Sequence, residues 1–324
     1  MRVPGWMILV GVFLSLALVG GCATWRAERK SPPIGRFVEV DGARIHLVEI
    51  GPQDAGQIPV VLIHGASVNL RDMKIALGED LARTRRVIVV DRPGRGYSTR
   101  PDDGWRLDIQ ADLIHQAVRA AGIEKPIVVG QSFGGAVALA YALRHQEDMS
   151  GLVLLAAVSH EWPGGVAWYN KASGWPVVGT LLRRLVIPVY APIAAKRGVI
   201  KSFRPDEAPA GYYEEAGITL LFRAKDFRNN ASDLRNLKPQ IVKMAETYSA
   251  IRIPTAIITG ADDKTVSPIR HSAALSRELP DAYYEVLPDT GHALHHSEKA
   301  KIIAAIDRVA ERAREREIRP NAAE

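Results

Sequence analysis

The stretch Ile127-Val128-Val129-Gly130-Gln131-Ser132-Phe133-Gly134-Gly135 constrains this chain more than any other. A short apolar run passes into Gly-x-Ser-x-Gly and then into a helical pattern from Ala136 to Arg144. Strand, sharp turn and helix in that order lift a serine hydroxyl above a sheet as a nucleophile. The glycines have a steric reason. Strand and helix backbones pass close on both sides of such a turn and leave little room for Cβ atoms. The pattern is short, so the rest of the chain has to decide its meaning.

Arg36 to Val40 and Arg44 to Ile50 alternate around Asp41-Gly42, the pattern of a hairpin. Val60–Ile63, Arg86–Val90, Gly151–Ala156, Thr255–Thr259 and Tyr283–Leu287 are short runs rich in Val, Ile and Leu. Continuous apolar runs of this length read as strands buried on both faces. Helical patterns separate them over Asn69–Thr84, Leu107–Ala121, Pro268–Leu279 and Glu298–Arg316. Strands alternating with helices predict an α/β fold built on a doubly wound, mostly parallel sheet. The alternation stops between His160 and Tyr248, where Trp162, Trp168 and Trp175 stand among Pro and Gly breaks and short helical patterns. The expected organisation is therefore core at 36–159, an inserted helical lid between strands six and seven at 160–251, and core again at 252–318. The three tryptophans are expected to form the core of the insertion. The last helix, rich in Arg and Glu at spacings of three and four, is expected to carry a solvated face of paired charges.

The formal net charge of +6 raises the question of nucleic acid. No basic run interleaved with aromatics forms a recognisable nucleic-acid motif, so that class is set aside. The surplus is also local: Glu161 to Ala250 holds 13 Lys and Arg against 8 Asp and Glu, a net of +5.

The first residues read as apart from the fold. Arg2 is a positive start, Met7 to Val19 is almost wholly apolar, and Val19-Gly20-Gly21-Cys22 places small residues before the single cysteine. One cysteine allows no intramolecular disulfide. The stretch resembles a bacterial lipoprotein signal, in which Cys22 would be lipidated and become the new N-terminus. An uncleaved anchor of about sixteen apolar residues, short for a span, and an ordinary cleaved signal are the other readings. All three export the protein or tether it to a membrane. Residues 1–21 are thus expected as signal or anchor and 22–35, polar and carrying Pro32-Pro33, as a linker.

A nucleophilic serine needs a base for its proton, and the base needs a carboxylate to fix its tautomer and stabilise the imidazolium. Pro288-Asp289-Thr290-Gly291-His292 sets a histidine directly after the final strand, and Gly260-Ala261-Asp262-Asp263 sets two carboxylates after the preceding one. All these candidates lie beyond the carboxyl ends of parallel strands, where open α/β sheets build sites. His292 and His296 are four apart, a spacing that can hold a metal on a helix. Gly291 favours a loop there and no third ligand stands out, so neither a metal nor a cofactor is expected.

Taken with His64-Gly65 after the third strand and the Asp91-to-Ser98 turn, these motifs resemble the alpha/beta-hydrolase family over nearly all of the chain after residue 35. The resemblance implies Ser132 as nucleophile, His292 as general base and then acid, and Asp263 rather than Asp262 as its orienter. It implies an oxyanion hole from the backbone N–H groups of Phe133 and Ala66. His64, Asp91 and Arg92 are expected to be structural. Haloalkane dehalogenases and epoxide hydrolases of this fold are similar in layout but carry aspartate where Ser132 stands. The implied activity is hydrolysis of a carboxylic ester with an apolar acyl chain, a small-molecule or lipid-like substrate, at a membrane of the bacterial envelope. Acyl transfer, C–C hydrolysis and cofactor-free haloperoxidation use the same triad, and a catalytically silent envelope-bound module is the reading from another class. Arg183-Arg184 and Lys196-Arg197, flanking Leu185 to Val189, raise the further expectation of a lid that meets anionic lipid.

Overall fold

The structure, a computed structural model, describes residues 4–54, 56–279 and 281–318, with the backbone alone at 8–10, 12 and 16. Among these, eight strands make one sheet: β1 (Arg36–Val40), β2 (Ala43–Ile50), β3 (Val60–Ile63), β4 (Val87–Val90), β5 (Ile127–Gln131), β6 (Gly151–Leu155), β7 (Thr255–Gly260) and β8 (Ala282–Leu287). Their order is β1-β2-β4-β3-β5-β6-β7-β8. The β1–β2 and β2–β4 pairs are antiparallel and every later pair is parallel.

Helix α1 (Gly5–Lys30) precedes the sheet. Helices α2 (Leu70–Met73) and α3 (Glu79–Leu81), joined by a π-helical turn, follow β3, and α4 (Leu107–Ala120) follows β4. Helix α5 (Phe133–His145) follows β5. Between β6 and β7 come α6 (Trp168–Ala172), α7 (Pro176–Leu181), α8 (Ile187–Phe203), α9 (Tyr212–Glu215) and α10 (Ala224–Ala245). Helix α11 (Ser272–Glu278) precedes β8, and α12 (Leu294–Ser297) and α13 (Lys299–Ile318) follow it.

Neighbouring residues of each central strand divide between two cores. Val61, Ile63, Ile88, Val90, Val128 and Leu154 pack with α4, α5 and α11. Val60, Leu62, Val87, Val89, Val129 and Leu155 pack with the α2–α3 segment and α13. A period of two explains the split, and burial on both faces explains why these strands are apolar throughout. A third apolar cluster, with Ile187, Phe203, Tyr212, Phe222 and Phe227, lies in the insertion and reaches Ala293.

Two expectations are corrected. Trp168 and Trp175 are 72% and 57% exposed, while Trp162 packs beside the core under Lys238. The exposed pair stand at the starts of the short helices α6 and α7, on the outside, and Phe and Tyr side chains fill the interior instead. The stretch 22–35 is not a free linker. Helix α1 runs through it to Lys30, because Ala23, Arg26, Ala27, Glu28, Arg29 and Lys30 include strong helix formers. It is also docked: Ala27 and Ser31 are buried, Glu28 pairs with Arg223 at 3.1 Å, and Tyr97 Oη donates to the Ser31 carbonyl at 2.7 Å. Arg2, read as the positive start, lies outside the described residues.

Candidate active site

Ser132 sits between β5 and α5 with φ 55° and ψ −116°, a conformation few non-glycine residues hold. Such backbone costs about 1–3 kcal/mol and persists only where its surroundings fix it. Here the Ser132 N–H donates to the Leu155 carbonyl at 2.9 Å, and its own carbonyl accepts from Gly135 and Val158 at 3.0 and 3.2 Å. The motif's last glycine is required by contact: a Cβ on Gly134 would stand 2.3 Å from the Ile63 carbonyl oxygen and 2.5 Å from that of His64. The elbow is thereby pressed against the end of β3.

His292 lies on the loop after β8, and its Nδ1 meets Asp263 Oδ2 at 2.7 Å. The other Asp263 oxygen accepts the N–H groups of Thr265 and Val266 at 2.7 and 2.9 Å, which fixes the carboxylate's orientation. Asp262 has no such role and stands 3.8 Å from Lys264 at the surface. An ionised carboxylate only accepts, so Nδ1 carries the proton and Nε2 is left with its lone pair. That nitrogen lies 3.3 Å from Nε2 of Gln131, the residue before Ser132, and the Gln131 amide also reaches the His292 carbonyl at 3.3 Å. Among the described residues it is this amide, not Ser132 Oγ, that is hydrogen-bonded to His292 Nε2. The loop is closed in from the insertion as well: a Cβ on Gly291 would meet the Arg204 carbonyl oxygen at 2.1 Å.

Phe133 N is at the start of α5 and Ala66 N follows β3, where a Cβ on Gly65 would stand 3.3 Å from Ser132 Cβ, and neither N–H donates to a protein acceptor among the described residues. The loop that carries Ala66 is held from three sides. Arg92 Nε donates to the His64 carbonyl at 3.1 Å, and its Nη2 reaches the Gly65 carbonyl at 3.3 Å. The same guanidinium lies 4.2 Å from the Phe133 ring centroid. Asn230 of α10 accepts from the Ser67 N–H at 2.8 Å and donates to its hydroxyl at 3.1 Å. His64 itself uses both ring nitrogens as a neutral imidazole, Nδ1 to the Gly65 carbonyl at 2.8 Å and Nε2 from the Arg92 N–H at 3.1 Å. Burial, then the Arg92 charge, lowers its pKa to about 3, so it is no base near neutrality. Asp91 takes His46 Nδ1 at 2.7 Å and the N–H groups of Leu70 and Tyr97 at 2.8 and 2.9 Å. Burial would raise its carboxyl, but these partners hold it below the usual range. The expected structural roles of His64, Asp91 and Arg92 agree with these contacts.

Three parts of the site had no reading in sequence. Gln131 lies inside the motif, at a variable position. Asp233 and Asn230 reach the site from the insertion, 141 and 163 residues from their partners. The third is a buried cluster behind the His292 loop. Asp72 accepts from His295 Nε2 at 3.0 Å, from His296 Nε2 at 2.9 Å and from Tyr212 Oη at 2.7 Å. Asp72, His295 and His296 are close enough together to share a metal ion, but each is already hydrogen-bonded. The zinc pairing weighed for His292 and His296 is not formed: His292 faces Asp263 and His296 faces Asp72. The doublet His295-His296 after Gly291-His292 was the available signal.

Comparison with known proteins adds four findings. A family model described as "Alpha/beta hydrolase family" matches residues 60–306. The chain is 29% identical over 280 residues to a 2-hydroxymuconate semialdehyde hydrolase of Pseudomonas putida, covering 84% of this chain and 93% of that one. It is 26% identical to haloalkane dehalogenase 2 of Mycobacterium bovis, over 84% of this chain and 93% of the relative. Among solved structures it resembles an esterase from Exiguobacterium antarcticum with a TM-score of 0.67 at 23% identity, covering 85% of this chain and 99% of that one.

Proposed function

We propose that this chain, which belongs to the alpha/beta hydrolase family, cleaves carboxylic esters through an acyl-enzyme on Ser132. The observation that supports this best is the 2.7 Å contact between His292 Nδ1 and Asp263. It leaves the basic lone pair of Nε2 beside the elbow, where a serine proton would be taken. In the proposed reaction Ser132 Oγ attacks the ester carbonyl as His292 Nε2 accepts its proton. Gln131 turns its amide away for that step. The N–H groups of Phe133 and Ala66 receive the oxyanion, an interaction made only in the tetrahedral state and worth about 3–4 kcal/mol per donor. His292 returns the proton to the leaving alkoxide, water enters, and the same steps in reverse release the acid. Asp263 stays ionised and stabilises the imidazolium throughout.

The acyl group is proposed to be apolar. The cluster formed by Phe203, Tyr212, Phe222 and Phe227 comes to Ala293, next to His292, and to Val68, two residues past Ala66. A second reading, C–C hydrolysis with the same triad, is favoured by the 29% identity to the P. putida enzyme. A panel of nitrophenyl esters of increasing acyl length, run beside the substrate named for that enzyme, separates the two. Ester turnover that rises with chain length and vanishes in Ser132→Ala is expected. Turnover of 2-hydroxymuconate semialdehyde alone would transfer the nucleophile to C–C chemistry.

The N-terminus is proposed to tether the enzyme to a membrane of the bacterial envelope, with Cys22, exposed on α1, as the lipid attachment point. Labelling by radioactive palmitate in a bacterial host should be lost in Cys22→Ala. Retained labelling would place acylation elsewhere and take that role from Cys22.

A further inference from the structure

Lys225, Arg228, Ser232 and Arg235 stand three or four residues apart and form one stripe along α10. Across an open cleft of about 860 Å³ they face Arg183 and Arg184 of the π-helical turn after α7, with Arg100 from the loop after β4 beside them. Six cations thus line one cavity, and Asp102 is its one acidic lining residue among those described. Arg100 is matched by buried Asp233. The other five have no carboxylate within 4.0 Å among the described residues.

Several arginines elsewhere are paired with carboxylates. Arg144 takes Asp112, Arg36 and Arg86 share Glu49, and Arg312 and Arg316 share Asp281. In the cleft the charges repel one another: burial, and then Arg228, Arg184 and Arg235, push the Arg183 pKa down. Burial and then Arg228 do the same to Arg235. An independent feature marks the same place. Ser173 is fully buried, lines the cleft, and its hydroxyl has no protein partner among the described residues.

We infer that this cleft is a binding site for a phosphate-type anion, separate from the site at Ser132. Guanidinium forks suit phosphate oxygens because two parallel N–H groups meet two oxygens of one group. Arg228 and Arg184, exposed and without carboxylate partners, supply forks from opposite walls. None of Ser132, Asp263 and His292 lines the cavity. Trp175 on its rim continues into exposed Val177 and Val178. A phospholipid headgroup with its chain along that apolar edge, and free phosphate, share the chemistry the cleft recognises.

The test uses the full chain in neutral detergent and reads thermal melting and calorimetric titration. One arm compares inorganic phosphate with chloride at equal ionic strength. The other compares mixed micelles of phosphatidylglycerol with micelles of phosphatidylcholine. Both are repeated on K225E/R228E, two exposed side chains with no carboxylate partner, and on R184E, so that a fold defect in one variant does not decide the matter. General salting effects of phosphate act on all three proteins alike, so the difference between them is the readout. A saturable stabilisation of the wild type, weakened about tenfold or more in the variants, is expected. Its appearance with inorganic phosphate assigns a soluble anion, and its appearance with phosphatidylglycerol alone assigns a headgroup. No stabilisation in either arm, or equal stabilisation of wild type and variants, would overturn the site. Ester hydrolysis is not the readout, so that result would leave the role of Ser132 untouched.

Discussion

Arg92 and Asp233 meet at 3.2 Å with neither side chain exposed, one on the turn after β4 and the other on α10. Burial, partly offset by Asp233, brings the guanidinium pKa down to about 10, so it is still charged at neutral pH. The pair fastens the insertion to the arginine that holds the His64 and Gly65 carbonyls. Removing the carboxylate strands a buried charge, which typically costs 3–5 kcal/mol. Asp233→Ala is therefore expected to lower the denaturant midpoint by about that much free energy, and Asp233→Asn by less. An unchanged midpoint would show that the pair does not hold the two parts together.

Asp262 and Asp263 are adjacent and chemically identical, yet only the second touches His292. Asp263→Asn should reduce kcat by about 10⁴, the size of the effect when a triad carboxylate is neutralised. Asp262→Asn should leave kcat within about twofold, because it is a surface change. The two purified variants, assayed on one ester, decide the assignment.

Tyr212 of α9 donates to Asp72, which also serves His295 and His296. Burial would raise the Asp72 carboxyl, but the two imidazoles hold it well below its ordinary range. Tyr212→Phe removes one donor of three and should cost about 1 kcal/mol. Asp72→Ala leaves three buried groups without an acceptor and should cost several times more. Equal destabilisation in urea melts would show that the cluster does not depend on its carboxylate.

Acid should destabilise the fold well above the carboxylate range. His64 and His271 have pKa values lowered to about 3 and about 4, chiefly by burial. Between those values and the ordinary 6.5 the unfolded chain binds protons that the native chain does not, so stability falls as pH falls. Each histidine contributes up to about 1.4 kcal/mol per pH unit. Asp226, raised to about 6 by burial, acts in the opposite direction between 3.8 and 6, because there the native chain binds the extra proton. These two histidines against Asp226 leave a net loss of about 1.4 kcal/mol per unit from pH 6 to 4, and His115 and His295, also lowered chiefly by burial, add to it in the same direction. Chemical denaturation across that range should show at least this slope, and a flat profile would contradict it.

Much of the scaffold was readable because period and chain order carry it. Val60 to Ile63 read as a strand buried on both faces because the run is short and apolar throughout, and Gly130 to Gly134 read as a strand-to-helix turn because an apolar run precedes it and a helical pattern follows. The insertion was visible as a break in alternation, but its interior was not. Which aromatics turn inward depends on where short helices end, and Trp168 and Trp175 fall at outer ends. Asp233 and Asn230 were illegible for another reason. Each occupies a buried position on an amphipathic helix, and its partner lies more than a hundred residues away. The docked N-terminal stretch was misread because Pro32-Pro33 signals a break, while Ala27 and Glu28 gave no local sign of what they would meet.

The proposed reaction rests on a nucleophilic Ser132 activated by His292. A fluorophosphonate probe with intact-mass and peptide analysis, beside ester turnover by wild type and Ser132→Ala, tests it most directly. One adduct on Ser132, none in Ser132→Ala, and a fall in kcat of about three orders of magnitude or more are predicted. An adduct on another residue, or wild-type turnover by Ser132→Ala, would contradict it.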